Sequence, residues 1–575
     1  MTQTSQDQVF DNELKQKKRQ TLILCWTIIF VLLISAAAIY LVCIYAPPLI
    51  ISSETTRITG PLKKDGRIDF WRHIEENYYS DLKIATDENG FRIFTRTFGN
   101  VYESANASRE HIEQKYQKLG LDVNIPPTMK FPELPQKVIA DYYAGLGKGD
   151  SAEIYELEKK LSRTWTLEDA PMLAEWIKTA DEPLDALAEM IRKPAFICPA
   201  IMTKKSTLFS IQFLEVHSCS QIARVYRTRA NYRIAKGDID GAINDIITIY
   251  QLGRQLEKDA NFVVYQLVGI AIEGIAAAIP INANPNHPAT KEQLKRLLDA
   301  IDQLPPRADW NKVMEIERAV ILDTTQIFFH DNDNYLKKLF TLIDVTTPPE
   351  TNANMSRLYR LCLSLPCNQN IVFNRMNEMF DKQDSILASR ASLFDKRLLT
   401  SGGRGKIISE LIGSIFLCFG PAGKAKQRIE CLNNMKHLTL ALSIYKIEHG
   451  EYPKADWIEK IKPYLGDNFE KYLRCPASVN QDIGKTNYAL ILYDKVPEYK
   501  DALQLVELRE PVPFDQAVIT IEEALNYFSP DKTSRKTGSA HVAGMNISKQ
   551  TGAINFTTPY ENLSELKKLL EQETK

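Results

Sequence analysis

The spacing of hydrophobic and polar positions is helical over most of the chain. From about Asp69 to Leu398, apolar residues recur every three or four positions, as on one face of an amphipathic helix. Thr290 and Gln293 form a capping box ahead of apolar residues at the same spacing, which predicts a helix start. We therefore predict a large helical domain at residues 67–400.

Two segments inside this domain carry more specific predictions. Residues 224–256 predict an antiparallel helical hairpin, with its turn at Lys236-Gly237-Asp238 and close helix approach at Ala242. The spacing also resembles one tetratricopeptide repeat, but the sequence has no second copy at a period of about 34 residues, which favours a single hairpin. Residues 262–279 are apolar but short and carry Glu273, which favours a buried core helix over a membrane span.

The N-terminal pattern predicts a transmembrane helix at residues 21–46. No charged residue lies between Arg19 and Glu54. The apolar run from Thr21 to Tyr45 exceeds the roughly 20 residues that a spanning helix needs. A cleaved signal peptide is the alternative, but its apolar core would be only about 7–15 residues long.

The charges beside this run predict the orientation. Lys15, Lys17, Lys18 and Arg19 precede it, and the next cation is Arg57. The positive-inside rule then predicts a cytoplasmic tail at 1–20, a lipid bilayer contact through residues 21–45, and a stalk at 47–66. The predicted location is the bacterial inner membrane, with the bulk of the chain extracytoplasmic.

Composition excludes several classes of function. Lys and Arg total 71 and Asp and Glu 72, so the net charge is −1, and no nucleic-acid partner is predicted. The Cys and His residues lack the close spacing of zinc ligands, and no phosphate-binding or dinucleotide-binding motif occurs. We predict no metal and no cofactor.

The pattern changes after residue 400. A glycine-rich linker and a short apolar helix are predicted at 401–423, followed by an amphipathic helix that runs from Lys424 to about His449 and is capped by Gly450. Short strand candidates follow at 488–493 and 545–556. One long helix followed by a small sheet predicts an α+β module at residues 424–575.

Three motifs in this segment resemble a known family. Cys431–Lys436, His449–Pro453 and Leu473–Pro476 look like the headpiece of type II secretion pseudopilins, and more closely like bacterial pilin-like proteins with a C-terminal H-x9-DG motif. The resemblance covers roughly residues 405–556. The positions that carry it are Asn433, Asn434, Gly450, Tyr452, Pro453, His541, Gly544, Asn546 and Gly552.

The resemblance implies a pilin-like fold, but the sequence departs from the family in two places. Thr551 stands where the motif has Asp, so any role of that carboxylate is lost. Leu24 and Gln20 stand where a prepilin leader requires Glu and Gly. The resemblance therefore does not imply assembly into a pilus. The helical region also resembles uncharacterised exported bacterial proteins, which supplies no activity.

Cys431 and Cys475 are a candidate disulfide of the C-terminal module. Seven of the nine cysteines lie beyond the predicted anchor, in a compartment predicted to be oxidising, and seven is an odd number. The sequence does not fix which of them pair.

One catalytic pattern is present but weak. Ser80 to Lys83, Ser478 to Asn480 and Lys536 to Gly538 match the S-x-x-K, S-x-N and K-T-G motifs of penicillin-binding proteins, in order. S-x-x-K also occurs at Ser564 to Lys567, which shows how readily it arises by chance. An envelope serine hydrolase is therefore kept as an alternative only.

The sequence thus predicts a mainly α fold with one N-terminal transmembrane helix, a helical extracytoplasmic domain and a C-terminal pilin-like α+β module. The predicted function is a non-enzymatic scaffold or interaction role with unidentified envelope protein partners. The first alternative is a pseudopilin-type subunit of a type II secretion-like system, and the second is the envelope serine hydrolase.

Overall fold

The computed structural model describes residues 48–330, 368–381 and 402–492 with short gaps, together with parts of 19–37 and of the C-terminal strands. The gaps are 80–81, 102–107, 148–151, 162, 203–207, 212, 454–455, 468 and 477–484. The chain divides into two compact units, one made of residues 1–73 and 318–418, the other of 74–317 and 419–575.

Helices dominate the described residues. In chain order they are α1 Phe70–Ile74, α2 Gly90–Phe98, α3 Arg109–Lys118, α4 Pro135–Gly145, α5 Ala152–Leu161, α6 Ala174–Ile191, α7 Leu214–Lys236, α8 Ile239–Lys258, α9 Val263–Ala277, α10 Lys291–Asp302, α11 Trp310–His330, α12 Gln369–Asp381, α13 Gly402–His449 and α14 Trp457–Leu465. A π-helical turn, Glu75–Tyr79, follows α1, and 3₁₀ turns lie at Pro171–Leu173, Leu208–Ser210 and Phe469–Leu473.

The strands form one small sheet. They are β1 Lys485–Leu492, β2 Leu503–Pro513, β3 Val518–Ile519, β4 Met545–Lys549 and β5 Ile554–Thr557. Their order across the sheet is β3-β1-β2-β4-β5. The β1–β2, β2–β4 and β4–β5 pairs are antiparallel, and β1 and β3 pair in parallel.

In the first unit, amide side chains tie the segment at residues 50–68 to α11 and α12. Gln326 exchanges two hydrogen bonds of 3.0 Å with the backbone of Ile68, and Asn377 donates to the backbone carbonyls of Glu54 and Thr55. Much of the segment predicted as a stalk is therefore hydrogen-bonded to helices.

In the second unit, the predicted hairpin is confirmed as α7 and α8. Gly237 adopts φ 81°, a left-handed conformation that a residue with a side chain rarely takes, and it closes α7. The Asp238 side chain then accepts from the Gly241 backbone and begins α8. Helix α9 is the predicted buried helix, and α10 begins at the predicted capping box of Thr290 and Gln293.

The predicted transmembrane helix is wrong as part of the fold class. Among the residues that the structure describes, none of the helices combines the length and the apolar character that crossing a bilayer requires. The predicted localisation stays a prediction.

The predicted C-terminal α+β module is also wrong. Of the residues that the structure describes, 67% are helical and few lie in strands. The physical reason lies in what packs on the apolar face of α13. The core cluster at that face draws mainly on α14 and the 3₁₀ turn at Phe469–Leu473, and Tyr488 joins it from β1. Helix α13 therefore packs on other helical segments.

Candidate functional site

Charged and amide side chains from four parts of the second unit meet at one buried place. We call it the Glu257–Glu273 cluster. It consists of Arg254 and Glu257 from α8, Glu273 from α9, Arg307 from the segment after α10, and Glu430 and Asn433 from α13.

Glu273 is the acceptor that joins these elements. Its Oε1 accepts from Arg254 Nε at 2.7 Å, and its Oε2 accepts from Asn433 Nδ2 at 2.7 Å. Arg307 bridges the two buried carboxylates, with Nε on Glu257 and Nη2 on Glu273. The side chains of Glu257 and Glu273 are both 0% exposed. One carboxylate therefore bonds to three different parts of the chain.

Glycines allow the backbones to approach closely enough for these bonds. A Cβ at Gly253 would lie 2.6 Å from the carbonyl oxygen of Gly269 and 3.1 Å from Cγ of Glu273. At Gly274, a Cβ would instead meet Cδ1 of Ile429, at 2.9 Å. Helices α8 and α9 thus touch backbone to backbone, whereas α13 rests on α9 through a side chain.

The electrostatics of the cluster single out Glu257. Burial, reinforced by the negative charge of Glu273, raises the pKa of Glu257 to about 8, although Arg307 and Arg254 oppose the rise. Its Oε2 accepts from Arg307, but among the described residues its Oε1 has no hydrogen-bond partner. Glu257 therefore holds a proton at neutral pH far more readily than an ordinary carboxyl group.

Two further contacts join α13 to neighbouring elements. The His437 ring stacks on Tyr472 with 4.2 Å between centroids, and its Nδ1 donates to the Asn433 carbonyl at 2.7 Å. Lys436 is 0% exposed, and its Nζ donates to the carbonyl of Ile279 at 3.1 Å. Burial lowers the pKa of Lys436 to about 7. The Lys436 hydrogen bond adds to the contact of α13 with α8, α9 and the residues that follow α9, which we call the seam.

A second buried polar group surrounds Glu215 on α7. His111 Nε2 lies 3.2 Å from Glu215 Oε1, and Lys115 Nζ lies 3.9 Å from the same oxygen. Lys115 also donates to Asn100 Oδ1 at 2.6 Å, and burial lowers the pKa of Lys115 to about 8. Through Asn100 this group reaches the wall of a surface cavity.

That cavity has a volume of about 470 Å³, within the range usual for ligand pockets. Phe98, Val101 and the segment from Pro127 to Glu133 form the rest of its wall. Phe98 and Phe131 supply aromatic surface, and Lys130 and Glu133 supply charge. We call it the Phe131 groove.

The candidate disulfide residues are close in the fold but are not bonded in this structure. Cys431 and Cys475 are both buried thiols in the same hydrophobic cluster. Cys431 Sγ lies 3.1 Å from the Tyr488 hydroxyl, and the Cys475 backbone donates to Asn487. Their pairing stays a prediction.

The motif residues near α13 take structural positions. Asn433 bonds Glu273, and Asn434 Nδ2 donates to the carbonyls of Lys471 and Arg474. Gly450 has φ 82° and ends α13 as predicted. The two remaining motif residues of this segment follow: Pro453 is buried, and the Tyr452 ring lies under Lys446 Nζ at 4.6 Å.

The remaining motif residues give no geometry of a site. Asn546 lies in β4, opposite Phe556 of β5. His541, Gly544 and Gly552 lie outside the described residues.

The hydrolase alternative is not tested, because Ser80, Ser478 and Lys536 also lie outside the described residues. Lys83 is described, and it forms an exposed ion pair of 2.6 Å with Glu88.

Sequence reasoning found one member of the Glu257–Glu273 cluster for its chemistry and missed the rest. Glu273 stood out as a carboxylate in an apolar helix, which indicates a buried charge in need of a partner. Asn433 was selected only for its place in a motif. Arg254, Glu257, Arg307 and Glu430 occur in ordinary polar surroundings along the chain, with no signal of their own.

The chemistry of the site is the basis for its interpretation, because comparison with known proteins found no relative. No protein-family model, no curated protein and no solved structure matches this chain.

Proposed function

We propose that this protein is a non-enzymatic scaffold that binds protein partners. The observation that carries the proposal is the use of Glu273, whose carboxylate bonds to Arg254, Arg307 and Asn433 from three parts of the chain. Groups that bond to each other in this way hold the elements that carry them together. The segment that carries the pilin-like resemblance is thereby fixed to the helical hairpin.

The Phe131 groove is the surface that we assign to a partner. Pro127 is exposed and Met129 half-buried, so both offer apolar contact, and the exposed Lys130 and Glu133 offer charge of both signs. Apolar and charged groups together on one surface are typical of protein–protein recognition. Partner contact at this groove needs no rearrangement of the buried clusters.

Site-specific photo-crosslinking tests this function. A photoreactive amino acid at position 130, at the edge of the groove, should capture a discrete protein partner in the cells that produce the chain. The matched control places the same residue at position 178, where the lysine side chain is 74% exposed on α6.

The groove proposal predicts an adduct at position 130 that position 178 does not give. Reversing the nearby charge with Glu133→Lys should reduce that adduct. If position 130 gives no adduct, or gives the same adducts as position 178, the proposal is wrong.

A further inference from the structure

The ionisable side chains of the Glu257–Glu273 cluster do not balance. Three carboxylates, from Glu257, Glu273 and Glu430, face two guanidinium groups, from Arg254 and Arg307. With every group ionised the cluster carries one excess negative charge. Glu257 and Glu273 are 0% exposed, so water cannot solvate that charge at either carboxylate.

We propose that Glu257 is a proton-binding site: its carboxyl group carries one proton at neutral pH, and loss of this proton loosens α13 from α8 and α9. One added proton brings the cluster to zero net charge. Proton binding at Glu257 does not depend on the scaffold function. Only its biological role rests on that function, because the contact that loosens is the one that holds the pilin-like segment.

The geometry places the proton on Glu257 and not on its neighbour. Glu273 accepts hydrogen bonds from Arg254, Arg307 and Asn433, and each of these donors favours the ionised form. Glu257 accepts from Arg307 at Oε2, and within the described residues its Oε1 accepts from nothing. A buried carboxylate oxygen without a donor is costly, and protonation removes that cost.

The other groups around the cluster do not supply the missing charge. Tyr250 of α8 faces Glu273, and burial raises the pKa of its hydroxyl, so it stays neutral. Lys436 of α13 donates to the carbonyl of Ile279, and burial lowers its pKa to about 7, which weakens its charge at neutral pH. Glu430 lies 3.7 Å from Arg307 and is 24% exposed, so it remains partly solvated.

The direction of the pH effect follows from the pKa of Glu257. Its value of about 8 in the folded chain lies above the ordinary 4.5. The bound proton therefore stabilises the folded seam below pH 4.5, and this contribution is lost as the pH rises from there through 8. Above pH 8 a second buried negative charge lies beside Glu273 and within reach of Glu430, which belongs to α13.

Hydrogen–deuterium exchange of the full-length protein measures the seam directly. After correction for intrinsic rates, peptides covering residues 429–444 of α13 should exchange about tenfold faster at pH 9 than at pH 7, because one pH unit above the pKa costs one factor of ten. In Glu257→Gln, which mimics the protonated carboxyl group, this increase should be absent.

The matched control is Glu317→Gln. Glu317 is another buried carboxyl group, whose pKa burial raises to about 7, and it accepts from the Val263 backbone at 2.8 Å, without a bond to the cluster. This variant should keep the tenfold increase in α13. If wild type and Glu257→Gln respond equally to pH, the inference is wrong.

Infrared difference spectroscopy supplies a second readout of the same proton. The wild type should show a C=O absorption of a protonated carboxyl group that titrates away near pH 8, beside the absorption of Glu317, which titrates near pH 7; only the first should be missing in Glu257→Gln. Where that variant does not fold, Glu273→Gln should move the titration to lower pH. A titration that does not change overturns the inference. Neither measurement involves a partner, so either result leaves the crosslinking test of the scaffold function independent.

Discussion

Two buried ionic groups in the second unit use the same chemistry and differ in their access to water. In the first, Arg229 of α7 donates to both carboxylate oxygens of Asp245 and also bonds Asp181 and Asp185, while Arg233 bonds Asp181 and Asp245. Asp238 also lies 3.6 Å from Arg233, and we call these six residues the Arg229 network. The second is the Glu257–Glu273 cluster.

Both groups contain two guanidinium groups and an excess of carboxylates, three in the Glu257–Glu273 cluster and four in the Arg229 network. Asp181, Asp185 and Asp238 are 51%, 64% and 53% exposed, and water solvates the excess charge of the Arg229 network. In the Glu257–Glu273 cluster the most exposed carboxylate, Glu430, is only 24% exposed. An excess of carboxylates is therefore compatible with a structural tie when its edge is solvated, and favours a proton-binding site when it is enclosed.

The largest expected effect comes from removing the centre of the Arg229 network. Arg229→Met leaves Asp245, which is 1% exposed, without its main partner, and should lower the free energy of unfolding by about 3–5 kcal/mol. Urea denaturation measures this. Asp185→Asn, at the exposed edge, is the control and should cost less than about 1 kcal/mol. Equal losses of unfolding free energy in the two variants would show that the solvent-exposed aspartates contribute as much as the buried ion pair.

Removing the bridge of the Glu257–Glu273 cluster should cost less. In Arg307→Met the free energy of unfolding should fall by about 2–3 kcal/mol at pH 6, because a proton already neutralises Glu257 and limits the unpaired charge. At pH 9 the loss should be larger, since Glu257 is then ionised beside Glu273. Urea denaturation at pH 6 and pH 9 measures the two losses of unfolding free energy. A loss that does not depend on pH would contradict the distinction between this cluster and the Arg229 network.

The close approach of α8 and α9 is tested by adding one methyl group. In Gly253→Ala the new Cβ would clash with the backbone oxygen of Gly269 and should cost about 1–3 kcal/mol. Gly274→Ala is the control, because the atom it meets is the mobile end of Ile429 and alanine favours a helix. Thermal unfolding should therefore show a clear loss for the first variant only. Equal losses of thermal stability in the two variants would mean that α13 packs on α9 as rigidly as α8 does.

The smallest expected effect concerns Lys436, a buried lysine of α13. Its pKa of about 7 lies below the ordinary 10.5, so burying it costs stability in full below pH 7, and the cost declines as the pH rises from 7 to 10.5. Lys436→Met should therefore stabilise the protein by about 1 kcal/mol at pH 6 and by less at pH 9.

Urea denaturation at both pH values measures this gain. The control Lys462→Met, at a side chain 48% exposed, should show no such dependence on pH. A gain for Lys436→Met that does not decline with pH would argue against a buried ammonium group.

Features set by neighbouring residues could be predicted from the sequence. The turn at Gly237 and Asp238, the capping box at Thr290 and the end of α13 at His449 depend on interactions within a few positions, and the structure has them. Glu273 could be recognised as a buried charge, because it interrupts an apolar helix.

What the sequence by itself determined was therefore the local elements and the presence of one carboxylate that had to find a partner. The tertiary structure alone decided the partners: Arg307 lies 34 positions from Glu273 and Asn433 lies 160 positions away. It also decided that α14 and the 3₁₀ turn at Phe469–Leu473 pack on α13, in a mainly helical structure that differs from the predicted fold class. The physical reason is the separation along the chain between the residues that interact. Caps and turns are fixed by bonds within one turn of helix, whereas burial and ion pairing depend on which distant segments exclude water together.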